Sequence, residues 1–456
     1  LVDIFLGQKK VSVIGAARSG LAAAKLLKRK GYDVFLSDLE SLDKVNIDTL
    51  NEIKAYSISF EFGGHSNRVF DADFIVVSPG VPQTSPVIQK AIALGIEVYS
   101  EIEVASWFCK GKIIAITGTN GKTTTATLTG KIFEDAGFKT FICGNIGIAF
   151  SDIVDQTDEK SVVVLETSSF QLDNIKNFKP FISVFLNITP DHLDRYDNFD
   201  KYYESKIKIA KNQNKDNYFV FNYDDDLVRK SAADVNASIS AFSLNNNVKN
   251  NFPSGAYINN NDLIYFYYMD EEHIIDTQKL VIKGEHNLYN SMASVISAKI
   301  FGIEKNYIKK TLENFKGVEH RLEFVRELEG VKYYNDSKAT NINSVWYAIK
   351  GFNEPIVLIL GGKDKGNDYS LIEKDILVHC KHIVAIGSSA DKIYSFFNGK
   401  IPVSKADSME QAVEQARNKA IANDVVLLSP ACASFDMFDN FEHRGNIFKK
   451  IVNSLK

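Results

Sequence analysis

The chain has 456 residues, 45% of them apolar and 24% charged, with a formal net charge of −4; at about 150 residues per domain there is room for roughly three domains. The composition is that of a soluble globular protein, and the slight negative charge excludes a broad attraction to nucleic acid or to an anionic membrane, so small molecules in local basic pockets are the expected partners. The four cysteines have no CxxC spacing, and Leu1 to Lys10 lacks the charged-then-apolar order of a signal peptide; with no run approaching about 20 apolar residues, the expectation is a cytoplasmic chain without structural zinc or membrane insertion.

In chain order, Val11 to Ile14, a helix from about Ser19 to Lys30, Asp33 to Ser37, Phe74 to Ser78 and a helix after Pro86 predict a parallel sheet with crossover helices. Gly15-Ala16-Ala17-Arg18-Ser19-Gly20 follows the first strand and Asp38 ends the second, which imitates a dinucleotide fingerprint. Ala17 stands where a glycine would let the backbone approach a pyrophosphate, and Arg18 adds a positive charge. A Rossmann-like fold suited to another nucleotide diphosphate is expected, in place of a dehydrogenase.

A second segment opens at Ser100-Glu101-Ile102-Glu103, which reads as a capping box ahead of a short linking helix. Strands are predicted over Ile113 to Thr117, Val162 to Glu166 and Phe181 to Asn187, and a helix from Glu285 to about Phe301. Asn245 to Asp262, rich in Asn and Gly, is expected as surface turns in an antiparallel excursion and not as core. Between the first of these strands and a helix-forming run lies Gly118-Thr119-Asn120-Gly121-Lys122-Thr123-Thr124-Thr125. Backbone N–H groups of such a loop wrap a phosphate chain; Lys122 would reach the β/γ-phosphates, Thr123 would hold Mg²⁺, and the helix would present its positive end. Ile116 occupies the first-glycine position of GxxxxGK(S/T), so the loop is a shorter GTxGKT variant. A chance Gly-Lys-Thr on a surface turn is the alternative; the strand–loop–helix context favours a nucleoside triphosphate.

The third segment runs from about Val318, with strands over Val331 to Tyr334, Ile356 to Leu360, His382 to Ile386 and Val425 to Leu428. Polar tracts follow the strand ends in both later segments: Ile-Thr-Gly-Thr, Glu166-Thr167-Ser168-Ser169, Asn187 to His192, Gly361 to Lys365 and Ser429 to Cys432. Ligands of open parallel sheets bind beyond the carboxyl ends of the strands, so these tracts point to a shared cleft. Glu166 is the candidate metal carboxylate, or else a solvated loop glutamate. His192, between Asp191 and Asp194, is a candidate metal or substrate contact, and the two aspartates also suit turn caps. Asn287 and Asn290 lie three apart on one helical face, where they could meet a nucleotide or cap the helix. Arg321 could reach a triphosphate, or form a linker salt bridge.

GTNGKTTT, GNIG, DHLDRY, GEHN, HR, NDSKATN and SPACASFDMFDNFEHRG, in this order, resemble the Mur ligases of bacterial peptidoglycan synthesis over essentially the whole chain. The phosphate loop and the DH and HR pairs are general to a superfamily that includes folylpolyglutamate synthases; NDSKATN and SPACASFDMF resemble the D-glutamate-adding members. The resemblance implies an α/β protein of three domains: residues 1–102, Rossmann-like and binding a UDP substrate; 103–317, a P-loop ATPase-type domain; and 318–456, Rossmann-like and binding the amino acid. The implied reaction is ATP-dependent: the carboxylate of UDP-N-acetylmuramoyl-L-alanine takes the γ-phosphate, and the amine of D-glutamate attacks the acyl phosphate. A monomer is expected.

By matched position, the resemblance gives Arg18, Ser19, Asp38, Gly80 and Asn145 to the UDP substrate. It gives Gly118, Thr119, Asn120, Gly121, Lys122, Thr123, Thr124, Asn287, Asn290 and Arg321 to ATP, and Thr123, Glu166, His192 and Lys206 to two Mg²⁺ ions. Lys338, Thr340, Lys365, Ser434, Phe435 and Phe441 fall where the family holds the amino acid. Lys206 matches the lysine that the family carbamylates with CO₂. An ammonium about 4 Å from Mg²⁺ would be repelled by roughly 8 kcal/mol at an effective dielectric of 20, and a carbamate reverses the sign. The chain departs from the family pattern at Lys363-Asp364, where an acid often directly follows the two glycines, and at Leu39, where a hydroxyl residue can meet the uracil. Rival readings are another Mur-type or folylpolyglutamate-type ligase, and a non-catalytic P-loop switch.

Overall fold

The computed structural model describes residues 9–145, 147–191, 195–196, 198–364 and 366–456. These form two compact units, one of Leu1–Gln278 with Tyr289–Leu312 and one of Lys279–Leu288 with Glu313–Lys456.

The first unit holds two sheets. Short apolar runs bounded by polar turns build the smaller one, five strands in the spatial order Ser59–Phe62, Asp33–Asp38, Lys10–Ile14, Phe74–Val77 and Glu97–Ser100, all parallel. The first strand in sequence lies in the middle, so the chain reverses its direction of winding there and opens a crevice at that strand's carboxyl end. Helix Arg18–Arg29 starts at this crevice. Gly20 must be glycine, because a Cβ there would lie 1.9 Å from the Gly15 carbonyl oxygen.

The larger sheet has nine strands. Third from one edge, Lys112–Thr117 lies between Ile182–Phe185 and Val162–Glu166, in parallel. These are continuous apolar runs buried along almost their whole length, the pattern of a parallel sheet covered on both faces. Leu26 and Ile102, from around the smaller sheet, belong to the same apolar cluster as Phe150, Leu165 and Phe185, so the two sheets share core.

Two expectations are corrected here. Residues 254–259 are not surface turns: Ser254–Asn259 is a strand, parallel to Ser238–Ser243 and antiparallel to Asp262–Tyr267. Its first four residues are buried, and Gly255 is there for close packing, since a Cβ would sit 1.9 Å from the Ala241 carbonyl oxygen. The capping box is absent too. Ser100 precedes helix Glu101–Ser106 without a side-chain cap, and the Glu103 carboxylate accepts backbone N–H groups of Lys176, Asn177 and Phe178 at 2.7–3.1 Å. Three distant donors outcompete the local cap.

The second unit is a six-stranded sheet in the order Glu323–Leu328, Val331–Asn335, Val425–Leu428, Ile356–Gly361, Cys380–Ile386 and Val403–Ala406. All its pairs are parallel except the first. The expected polar tracts lie at the carboxyl ends of parallel strands, three in the first unit and two in the second. Among the described residues no helix is long and apolar enough to cross a membrane.

Candidate functional site

The phosphate loop leaves strand Lys112–Thr117 at Thr117 and enters helix Lys122–Asp135 through Gly121 in the left-handed region, φ +85°. The first turn of this helix carries no acidic residue, so nothing cancels its positive end. A Cβ on Gly121 would approach Asn290 Oδ1 to 2.4 Å, and the same oxygen accepts the Thr125 hydroxyl at 3.1 Å. Asn290 therefore packs against the loop. Asn187 clamps the loop from the next strand: its Oδ1 accepts Asn120 N–H at 2.8 Å and its Nδ2 donates to the Asn120 carbonyl at 3.0 Å. Thr119 Oγ1 donates to the Thr189 carbonyl at 3.1 Å and accepts Thr189 N–H at 3.0 Å. Thr123 and Thr124 are buried in the helix's first turn.

Lys122 folds back on its own loop, donating to the carbonyls of Gly118 and Thr119, each at 2.8 Å. Lys206, buried on helix Phe199–Ile207, donates to the same Gly118 carbonyl at 2.9 Å and stands 4.7 Å from the centre of the Tyr202 ring. Burial, and then the Lys122 ammonium, hold the Lys206 amine well below the usual lysine range. The Lys122 and Lys206 amines thus converge on one loop carbonyl.

Glu166 ends the neighbouring strand and is buried. One carboxylate oxygen accepts Asn145 Nδ2 at 3.0 Å, while Oε2 is buried with no hydrogen-bond partner among the described residues. A bare buried carboxylate oxygen is costly and fits a cation. Glu166 and Thr123 thus offer the hard oxygen donors Mg²⁺ prefers. Arg18 donates to the carbonyls of Asn145 at 2.8 Å and Gly147 at 2.7 Å, so it bridges the start of the first helix to the loop beside Glu166.

A cavity of about 600 Å³ opens at the crevice of the smaller sheet, lined by Gly15, Asp38, Leu39, His65, Gly80 and Lys90 among others. Asp38 spends both oxygens on turns, accepting the N–H groups of Ala16 and Glu40. Ser19 lies half-buried in the first turn of the nearby helix. Leu39 is exposed at the cavity.

In the second unit, Asn287 Nδ2 donates to the Lys283 carbonyl at 2.8 Å. His286 packs on Tyr347 at 5.8 Å; burial, and then the Arg321 guanidinium, push its imidazole down to about 4. Burial lifts the Asp336 carboxyl to about 7 against the pull of Arg321. Arg444, fully buried, donates to Ser337 Oγ at 2.9 Å, to the Ser337 carbonyl at 2.7 Å and to the Cys432 carbonyl at 3.1 Å. It ties Ser337, just beyond strand Val331–Asn335, to Cys432, just beyond strand Val425–Leu428. Lys338 stands 5.4 Å from the Phe441 ring, Ser434 is buried and Phe435 is 67% exposed; Thr340 is half-buried. Asp364 is structural, accepting Lys392 Nζ at 2.7 Å and Asn367 N–H at 2.9 Å. His192 and Lys365 lie outside the described residues. Asn187, Arg195 and Arg444 lie inside tracts already singled out, the Asn187 to His192 run, DHLDRY and SPACASFDMFDNFEHRG, but their own roles were missed because each acts by contacts far away along the chain.

A glycine loop under two lysines, beside a carboxylate with one bare oxygen, defines a nucleotide-dependent phosphoryl-transfer centre. Family models match the chain in order: a Mur ligase MurD-like N-terminal domain over residues 9–100, a Mur ligase middle domain over 116–298 and a Mur ligase glutamate ligase domain over 320–432. The chain belongs to the Mur ligase family. It is 46% identical to UDP-N-acetylmuramoylalanine–D-glutamate ligase of Chloroherpeton thalassium and 44% identical to that of Salinibacter ruber, in each case over 98% of both chains. Its fold matches a pseudomurein peptide ligase type C from Methanothermus fervidus, TM-score 0.61 at 20% identity, covering 98% of this chain and 100% of that one. It also matches UDP-N-acetylmuramate-alanine ligase from Thermotoga maritima, TM-score 0.59 at 18% identity, with the same coverage.

Proposed function

We propose that this chain joins the carboxylate of UDP-N-acetylmuramoyl-L-alanine to the amine of D-glutamate, with ATP as phosphoryl donor, in peptidoglycan precursor synthesis. It is an ATP-dependent acid–amino-acid ligase. The observation that carries the chemistry is the loop itself, with Lys122 and Lys206 both on the Gly118 carbonyl and Glu166 Oε2 bare and buried. The acceptor follows from full-length relatives at 44–46% identity.

The loop N–H groups and the helix end bind the triphosphate, and Lys122 swings from its own carbonyls to the β/γ-phosphates. A substrate carboxylate oxygen attacks the γ-phosphorus and ADP leaves; the amine then attacks the acyl carbon and phosphate leaves, the amine giving up its proton. Asn145 orients Glu166, and Glu166 with Thr123 would hold Mg²⁺, which supplies neutralisation of the phosphate charge. The buried Lys206 amine, held well below the usual lysine range by burial and then by the Lys122 ammonium, is suited to attack CO₂ and lose a proton to become a carbamate, and we assign a second Mg²⁺ to that group with His192. Arg18, Ser19, Asp38 and Gly80 serve the UDP end; Lys338, Thr340, Lys365, Ser434, Phe435 and Phe441 serve the amino acid. We divide the chain by function into residues 1–102, 103–317 and 318–456, and propose a cytoplasmic monomer. ADP and phosphate release with ATP, Mg²⁺ and UDP-N-acetylmuramoyl-L-alanine, stimulated by D-glutamate, tests the proposal.

A further inference from the structure

Arg195 joins two parts of the first unit that this reaction must hold at a fixed span. Its guanidinium donates to two successive carbonyls, Pro79 and Gly80, each at 3.1 Å, and lies over the Phe170 ring at 4.4 Å. Phe170 is stacked on Tyr196, ring centres 5.8 Å apart and planes at 17°. The Tyr196 hydroxyl donates to Asp173 Oδ2 at 2.8 Å and lies 3.3 Å from Ser205 Oγ. Ser205 in turn donates to the Ser169 carbonyl at 2.7 Å, and it directly precedes Lys206.

At the other end of this chain of contacts, Gly80, Val81 and Pro82 form the rim of the nucleotide cavity. The rim begins well anchored, with Ser78 N–H on the Ile14 carbonyl at 2.9 Å and Ser78 Oγ on the Gly15 carbonyl at 3.0 Å. Beyond Ser78, Val81 N–H bonds back to the Ser78 carbonyl and Ser85 N–H to the Pro82 carbonyl, which shapes the turns without tying them to the larger sheet. Arg195 makes that tie. A planar fork held flat by an aromatic face matches two adjacent carbonyls in a way a lysine cannot.

We infer that Arg195 is a positioning residue: it fixes the rim of the UDP cavity against the larger sheet and so sets the span between the substrate's nucleotide end and its carboxylate at the phosphate loop. The inference rests on the function proposed above. Its effect is preorganisation of the substrate site, felt in binding before chemistry.

The test is calorimetric binding of UDP-N-acetylmuramoyl-L-alanine to the full chain without ATP, beside steady-state kinetics. Arg195→Ala is expected to raise both Kd and KM for this substrate about tenfold, the scale of losing charge-assisted hydrogen bonds, with KM for ATP and Tm unchanged. Arg195→Lys is expected to recover only part of the loss. Phe170→Leu, which keeps the fork and removes its platform, is expected to shift the same KM by a smaller factor. An active wild type whose Arg195→Ala variant keeps its Kd and KM for the UDP substrate overturns the inference alone; so does an equal rise in KM for ATP with a lowered Tm. A wild type that neither binds nor turns over this substrate overturns the proposed function, and the inference with it.

Discussion

Asn145 Nδ2 donates to Glu166 Oε1 at 3.0 Å, and this bond turns the other oxygen of a buried carboxylate toward whatever cation the site takes. The Asn145 carbonyl accepts Arg18 at the same time, so one asparagine connects the smaller sheet's first helix to the carboxylate proposed to hold the metal. Groups that orient a metal ligand typically govern affinity 10- to 100-fold. Asn145→Ala is therefore expected to raise the Mg²⁺ concentration for half-maximal phosphate release by about tenfold or more. A Mg²⁺ titration at saturating ATP reads this directly, and an unchanged midpoint would count against the orienting role.

Glu166→Gln keeps the Asn145 contact in shape while removing the charge. Turnover should fall by about 100-fold or more, the scale of losing an electrostatic stabiliser of phosphoryl transfer, while an ATP analogue still binds the loop. Loss of analogue binding to the same extent would place Glu166 in folding of the loop instead.

For Lys206, the carbamate assignment makes a sharper demand than loss of activity. Lys206→Ala should be nearly inactive yet bind ATP normally, and short carboxylates such as acetate or formate should restore part of the rate by supplying the missing anion. Full activity in the variant, or no recovery at any carboxylate concentration, would remove the carbamate from the mechanism.

Gly121 combines a left-handed φ of +85° with a setting in which a Cβ would lie only 2.4 Å from Asn290 Oδ1. Gly121→Ala should cost about 1–3 kcal/mol of stability from backbone strain and should weaken nucleotide binding, because Asn290 must move away from Thr125. Urea unfolding and analogue titration on the same sample measure the two effects.

His286 gives a pH dependence. Burial, with Arg321 adding to it, holds its folded imidazole down to about 4, whereas an unfolded histidine protonates near 6.5. Between those values the unfolded chain binds more protons, so stability present above about pH 6.5 is lost as pH falls toward 4, at no more than roughly 1.4 kcal/mol per unit. His286→Gln should flatten that part of the profile in urea midpoints taken at several pH values; an identical slope in the variant would refute the assignment.

The parallel strands were legible because they are apolar runs buried along nearly their whole length; Val425–Leu428 coincides with its expected span. Edge strands such as Ser59–Phe62 and Val403–Ala406 are mostly unburied and short, which leaves no apolar signature to read. Ser254 to Tyr257 misled because small residues that permit close strand packing have the composition of a turn. The strand–loop–helix setting of the phosphate loop and the place of Glu166 at a strand end were readable from local order alone. Arg195, Asn187 and Glu103 were not, since Arg195 works across 115 residues of sequence, Asn187 across 67 and Glu103 across 73. Asn287 and Asn290 share a helical face, as their spacing requires, yet one donates to the Lys283 carbonyl just ahead of the helix while the other packs on the loop.

The central claim is tested most directly by phosphate release from ATP with Mg²⁺ and UDP-N-acetylmuramoyl-L-alanine, adding D-glutamate, L-glutamate, L-alanine or a diamino acid one at a time. Stimulation by D-glutamate alone is the expected result. Stimulation by another amino acid in its place, or none from a folded chain that binds ATP, would contradict it.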